Sequence, residues 1–175
     1  MSRYIALLRG INVGGHRKIK MVELKALFER LGLADVVTYI QSGNVIFTAE
    51  DSSNLAQKIS AAIKNDKGWE VPVVVLTAEV LQSVMEHCPF PPEQKEVSYF
   101  ALLHAIPTAE RAALLQQIEI EDELFSYSDY CVYFFCAKGY RNATLNNNWL
   151  EKKLRVAATT RNYKTMQKLL DLVTV

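Results

Sequence analysis

The chain has 175 residues, half of them hydrophobic and 22% charged, with a formal net charge of +1. That length can bury one domain core or two small ones, and the composition is that of an ordinary folded protein. So small a charge argues against a sequence-independent nucleic-acid binder, and no apolar run reaches the ~18–20 residues of a membrane helix. The apolar stretch in Met1–Arg9 is too short for a signal peptide and has no small-residue cleavage site, so a cytoplasmic protein is expected. Cys88, Cys131 and Cys136 cannot all pair within the chain, and without a CxxC or a histidine pair they read as buried thiols.

Residues 4–8 are apolar and read as a strand. A polar loop comes next, Arg9-Gly10-Ile11-Asn12-Val13-Gly14-Gly15, whose glycines let the backbone approach something closely. Met21, Leu24, Leu27, Phe28 and Leu31 recur at helical spacing, and Gly32 is expected to end that helix. Val36–Ile40 and Val45–Thr48 are β-branched and aromatic. The turn Gln41-Ser42-Gly43-Asn44 joins them into a hairpin. Asp51-Ser52-Ser53 offers N-cap chemistry to a helix using Leu55, Ile59 and Ile63. Val71–Leu76 is a strand, and Pro72 places its start at a sheet edge.

The first half therefore reads βαββαβ, the ferredoxin-like order. Thr77 caps a connecting helix, which ends at Cys88-Pro89-Phe90-Pro91-Pro92. The expected division is 1–76, a connector 77–95, and 96–175. The second half opens with a strand over 97–104 and a helix after Pro107-Thr108. A hairpin comes after it, with strands over 124–127 and 130–137 about Ser128-Asp129. Two further helices are expected, over 146–154 and from about Thr160. This βαββαα order shares βαββα with the first half. The fold expected is α+β, with two subdomains of βαββα order, at least one ferredoxin-like, and antiparallel sheets.

Gly10 and Gly15 have the glycine spacing of a phosphate-binding P-loop. His16 and Arg17 stand where that motif needs lysine and a hydroxyl residue, and the hairpin argues against the parallel sheet it requires. A weaker inference survives. The first helix has no Ser, Thr, Asp or Asn at its start, and Arg17, Lys18 and Lys20 lie beside the positive end of its dipole. A bound anion would correct both faults, though water capping and solvated lysines would also serve. In Ala157–Thr165, Thr160 or Asn162 can cap the last helix, and Arg161 in its first turn would again oppose the dipole. Arg141 could join an anion site or be solvated. Glu119, Glu121, Asp122 and Glu123 read as a solvated turn. No metal spacing, nucleophile motif or acid–base pair is evident.

Three of these stretches, LRGINVGG, TYIQSGNVIF and GYRNATLNNNWLEKKLRVAATTRNYKTMQKL, resemble the bacterial family catalogued as domain of unknown function 1697. The resemblance runs from residue 3 to about 170 and is thin over 77–125. It implies an α+β fold of two subdomains and no established reaction. Carried over by position, the motif residues are Arg9, Gly10, Asn12, Gly14 and Gly15, then Ser42, Gly43 and Asn44, then Thr160, Arg161 and Asn162. Two positions depart from the pattern. Asn142-Ala143-Thr144 stands where a serine–lysine pair is expected, and Tyr163 replaces a tryptophan.

The leading expectation is a phosphate- or carboxylate-binding protein, built on Arg9, Asn12, Gly14, Gly15 and Arg161, with Ser42, Asn44, Thr160 and Asn162 as further ligand-binding candidates. It leaves open whether the protein is also an enzyme, and its cofactor and oligomeric state are unknown. Arginine suits such anions because its planar fork matches them bidentately. A second reading is a single-stranded nucleic-acid module presenting Tyr39, Phe47, Tyr99, Tyr133 and Phe135, but no RNP-like pattern supports it. A third is a protein-partner binder without a small-molecule site, which an exposed apolar patch above ~400 Å² would favour.

Overall fold

A computed structural model describes residues 2–51 and 53–175. In chain order the elements are β1 (Ser2–Leu8), α1 (Met21–Arg30), β2 (Ala34–Tyr39), β3 (Asn44–Ala49), α2 (Leu55–Lys67), β4 (Val73–Thr77), α3 (Ala78–Glu86), α4 (Pro92–Lys95), β5 (Tyr99–Leu103), α5 (Ala109–Gln116), β6 (Glu123–Tyr127), β7 (Cys131–Cys136), α6 (Asn147–Leu154), β8 (Ala158–Asn162) and α7 (Tyr163–Thr174). A 3-10 turn over Tyr140–Asn142 precedes α6. The strands form two four-stranded sheets, ordered β2-β3-β1-β4 and β6-β7-β5-β8. All neighbouring strands are antiparallel, so the protein is α+β with antiparallel sheets.

Two compact units emerge: residues up to Gln82 together with Lys168–Val175, and Ser83–Gln167. The divide falls inside α3 and again inside α7. The proline-rich stretch marks where a helix must stop.

In the first unit, Leu24, Leu27 and Phe28 of α1 and Leu55, Ile59 and Ile63 of α2 join Tyr4, Ala6 and Leu8 of β1 in one core. Phe28 meets Phe47 edge-on at 5.5 Å, and Tyr4 stacks on Phe47 at 5.8 Å. Each fully buried side chain of this size contributes roughly 1.5–3 kcal/mol. Gly32 ends α1 at φ +78°, its N–H donating to Glu29 O at 3.0 Å, as its position predicts. β4 is an edge strand, consistent with Pro72 before it. The expected cap of α2 does not form. Its N-cap is Asn54, left-handed at φ 56° and without a side-chain bond. Asp51 instead accepts from the nearby Ser53 N–H at 2.8 Å, a local turn that competes with capping. Ser52 lies outside the described residues.

The second unit repeats the sheet order strand for strand. Its core gathers Ala101 and Leu103 of β5, Val132 and Phe134 of β7, and Leu150 and Leu154 of α6. One expectation is overturned here. Residues 158–162 are a strand, β8, pairing with β5 in the register Ala101↔Thr160 and Phe100↔Arg161. Five residues on an edge strand are too few for a clear period-2 pattern, and the capping residues at its end hid it. Asn162 is the cap of α7, accepting from Thr165 N–H at 2.9 Å. Arg161 therefore precedes the helix and does not sit in its first turn, so the dipole conflict expected there does not arise.

Glu123 is also more than part of a solvated turn. Its carboxylate accepts from Thr144 N–H at 2.6 Å and Leu145 N–H at 2.8 Å, fastening the loop before α6. Cys88, Cys131 and Cys136 are free and buried, and burial pushes the Cys136 thiol up to about 11.

Candidate functional site

Each unit sends its first strand out of the sheet in the same way. In the first, Leu8 N–H donates to Gly43 O at 2.8 Å and Arg9 N–H to Pro72 O at 2.9 Å. In the second, Leu103 N–H donates to Tyr130 O at 2.9 Å and His104 N–H to Ala157 O at 2.9 Å. Arg9 and His104 are thus equivalent positions. Beyond them the units part. Residues 9–20 connect β1 to α1, whereas residues 104–108 suffice between β5 and α5.

The longer loop is held by its own residues. Asn12 sits at φ 53°, a conformation asparagine tolerates better than most. Its Nδ2 donates to Ile19 O at 3.0 Å and to Gln41 O at 2.8 Å, and its Oδ1 accepts from Ile19 N–H at 2.9 Å. Ile11 and Ile19 are buried beneath. Gly10, Gly14 and Gly15 all have positive φ. Gly43 has no alternative: at φ +81°, a Cβ there would lie 2.8 Å from both Leu8 Cβ and Ile11 Cδ1. The glycine loop and the hairpin turn therefore meet, a proximity the sequence left open. Asn44 is fully buried, its Nδ2 donating to Tyr39 O and Ser42 Oγ at 3.0 Å. Asn12, Ser42 and Asn44, expected as ligand contacts, brace these loops.

Above them lies an open groove of about 550 Å³, lined by Asn12, Gly15, Lys18, Ile19, Lys20, Glu23 and Gln41. The N-cap of α1 is Lys20, with no side-chain cap bond. The charges are unevenly matched. Lys25, Lys58, Lys64 and Lys67 each stand within 4 Å of a carboxylate. Arg17, Lys18 and Lys20 enter no such pair among the described residues. Glu23 is answered by Lys67, 2.8 Å away. The sequence marked Lys18 and Lys20 only as unfavourable neighbours of the helix start. Their place in the groove follows from the loop's path, which hydrophobic periodicity does not report.

The remaining motif residues belong to the second unit. Thr160 Oγ1 donates to Asn147 Oδ1, and Asn162 caps α7. Arg161 Nη1 donates to Thr160 O at 2.9 Å, and enclosure of the guanidinium pushes its pKa down to about 10. Tyr140 of the tail loop stacks on Tyr99 at 4.6 Å. Phe47 and Tyr133, two of the five aromatics considered for base stacking, are buried. Among the described residues no group of His, Cys, Asp and Glu could hold a metal ion, and no helix is long and apolar enough to cross a membrane.

Two further depressions lie away from these loops. One, about 420 Å³, includes Leu33, Thr48, Asp51, Leu55 and Lys58 in its wall, and its lysine is paired with Asp51. The other, about 510 Å³, lies along β6 beside Ile118 and Ile120. Neither contains a motif residue.

The profile of a family described as "Protein of unknown function (DUF1697)" matches residues 1–133. The tail motif over 139–169 lies beyond that match. No curated protein matches the chain. Among solved structures, the conserved bacterial protein SP0830 from Streptococcus pneumoniae is similar in fold, with a TM-score of 0.78 and 24% identity over 98% of each chain.

Proposed function

The chain belongs to this family of unknown function, and from that premise we propose that its first unit binds a small anion, a phosphate or a carboxylate, in the groove between residues 12–20 and Gln41. The carrying observation is internal. Two units with one sheet order and the same strand-exit hydrogen bonds differ in the length of the loop that follows, twelve residues against five. The longer loop bears Arg17, Lys18 and Lys20, unpaired among the described residues, and loops on a rigid scaffold are where binding residues concentrate. Backbone N–H groups at the uncapped start of α1 add donors. This is a binding function, and no acid–base pair or nucleophile forms part of it. Arg9 in the first unit and Arg161 in the second are each retained, for its own unit, as a candidate anion contact on its motif position. We also read each unit as ferredoxin-like and the protein as cytoplasmic, the latter supported by three unpaired thiols.

The test is an amide-resolved titration of the full chain with inorganic phosphate and with citrate. Shifts are expected at residues 14–21 and 41–43, with affinity falling as salt rises. Lys18→Ala/Lys20→Ala should abolish them. Arg9→Ala reports whether that arginine contributes. Unchanged spectra in millimolar phosphate and citrate would refute the reading.

A further inference from the structure

We infer that the anion this groove takes is a phosphate monoester carrying an apolar body, rather than inorganic phosphate or a simple carboxylate. The inference rests on the anion reading above and concerns which anion fits. Charge is the first observation. Lys18 and Lys20 line the groove without carboxylate partners among the described residues, and the carboxylate in the lining, Glu23, is neutralised by Lys67. The lining is left with two uncompensated positive charges. A phosphate monoester, close to doubly charged at neutral pH, answers both. A monocarboxylate leaves one cation unmatched.

The second observation is apolar surface. Ile19 forms part of the wall. Val13, next to Asn12, is 62% exposed, and Ile40, next to Gln41, is 48% exposed. The Asn12–Gln41 hydrogen bond holds these two neighbourhoods together. Scattered exposed valines need no explanation, but Ile19 in the wall, with exposed Val13 and Ile40 one residue away in sequence from the lining residues Asn12 and Gln41, offers apolar surface that a bare phosphate leaves in water. The volume, about 550 Å³, is that of a metabolite-sized site and not of a single tetrahedral ion. The second unit supplies the contrast. Ile106 and Tyr130 are exposed at its strand exit, yet residues 104–108 contain no lysine or arginine.

Calorimetric titration of the full chain with inorganic phosphate, hexyl phosphate and hexanoate tests this. Hexyl phosphate should bind at least about tenfold more tightly than either of the others. Lys18→Ala/Lys20→Ala should weaken hexyl phosphate at least about tenfold, and Val13→Ser/Ile40→Ser should remove the hexyl advantage while leaving phosphate affinity unchanged. All four side chains are exposed, so the variants are expected to keep the wild-type circular dichroism. Equal affinity for phosphate and hexyl phosphate overturns this inference and leaves the anion reading standing. Hexanoate binding as well as hexyl phosphate overturns the requirement for a dianion. Binding of none of the three, or wild-type affinity in the double-lysine variant, overturns the anion reading together with it.

Discussion

The exits of β1 and β5 are the same piece of architecture used twice. Backbone bonds from Leu8 and Arg9 in one unit recur from Leu103 and His104 in the other, to the equivalent turn and the equivalent edge. The connections that leave these exits differ in kind. The second unit returns to α5 through five residues and caps that helix with Thr108, whose Oγ1 accepts from Arg111 N–H at 3.4 Å. The first spends twelve residues, has positive φ at Gly10, Gly14 and Gly15, and reaches α1 with no side-chain cap. The second unit makes the same connection with the short version, so the residues that the first unit adds, beyond the buried Ile11 and Ile19, are the ones to interrogate for function.

The largest effect should come at the turns that receive these exits. Gly43→Ala forces a side chain into left-handed backbone against Leu8 and Ile11, and should cost about 3 kcal/mol. Tyr130, its exposed counterpart, should tolerate alanine within about 0.5 kcal/mol. Urea unfolding of both variants checks the contrast, and similar losses would break it. Next is Asn12→Ala, which strips three hydrogen bonds from the long loop and should cost about 2 kcal/mol. Hydrogen exchange should then rise across 10–20 and 41–43 and stay unchanged at 104–108.

Glu123→Ala probes the second helices of the two units. It exposes the Thr144 and Leu145 amides and should cost about 1.5 kcal/mol, because these bonds go to a charged acceptor. No comparable carboxylate clasp stands before α2 among the described residues, so Asp51→Ala should cost less. Urea unfolding of the two variants side by side measures the gap.

The smallest effect is a pH dependence at Arg161. Its folded pKa, about 10, lies below the ordinary value of an exposed guanidinium. Between these values the unfolded chain holds more protons than the folded one, so stability rises with pH. The gain is lost as pH falls through about 10. Relative to Arg161→Met, the wild type should gain about 1 kcal/mol between pH 10 and 11. A flat difference across that interval would show a guanidinium solvated like any other.

Much of the scaffold was legible in one dimension. Leu24, Leu27 and Phe28 announced α1, Gly32 its end, and Pro72 an edge, because period and backbone restriction are local properties. β8 was not legible. Its five residues are a strand only because β5 offers a ladder to them, and Thr160 and Asn162 also suit a helix start. The motif residues stand out in the sequence as special, but Asn12, Ser42 and Asn44 hold loops together.

The sequence by itself determined an α+β protein with two similar strand–helix patterns, a cationic glycine-rich loop after the first strand, and three thiols that cannot all pair. Only the tertiary structure decided that the hairpin turn closes over that loop, leaving no room for a side chain at Gly43. It also decided which lysines find carboxylates and which are left facing the groove. The physical reason is range. Helical period, capping and glycine freedom act over a few residues. Ion pairing and close packing depend on where distant segments arrive, and Lys67 reaches Glu23 across 44 positions of sequence to do it.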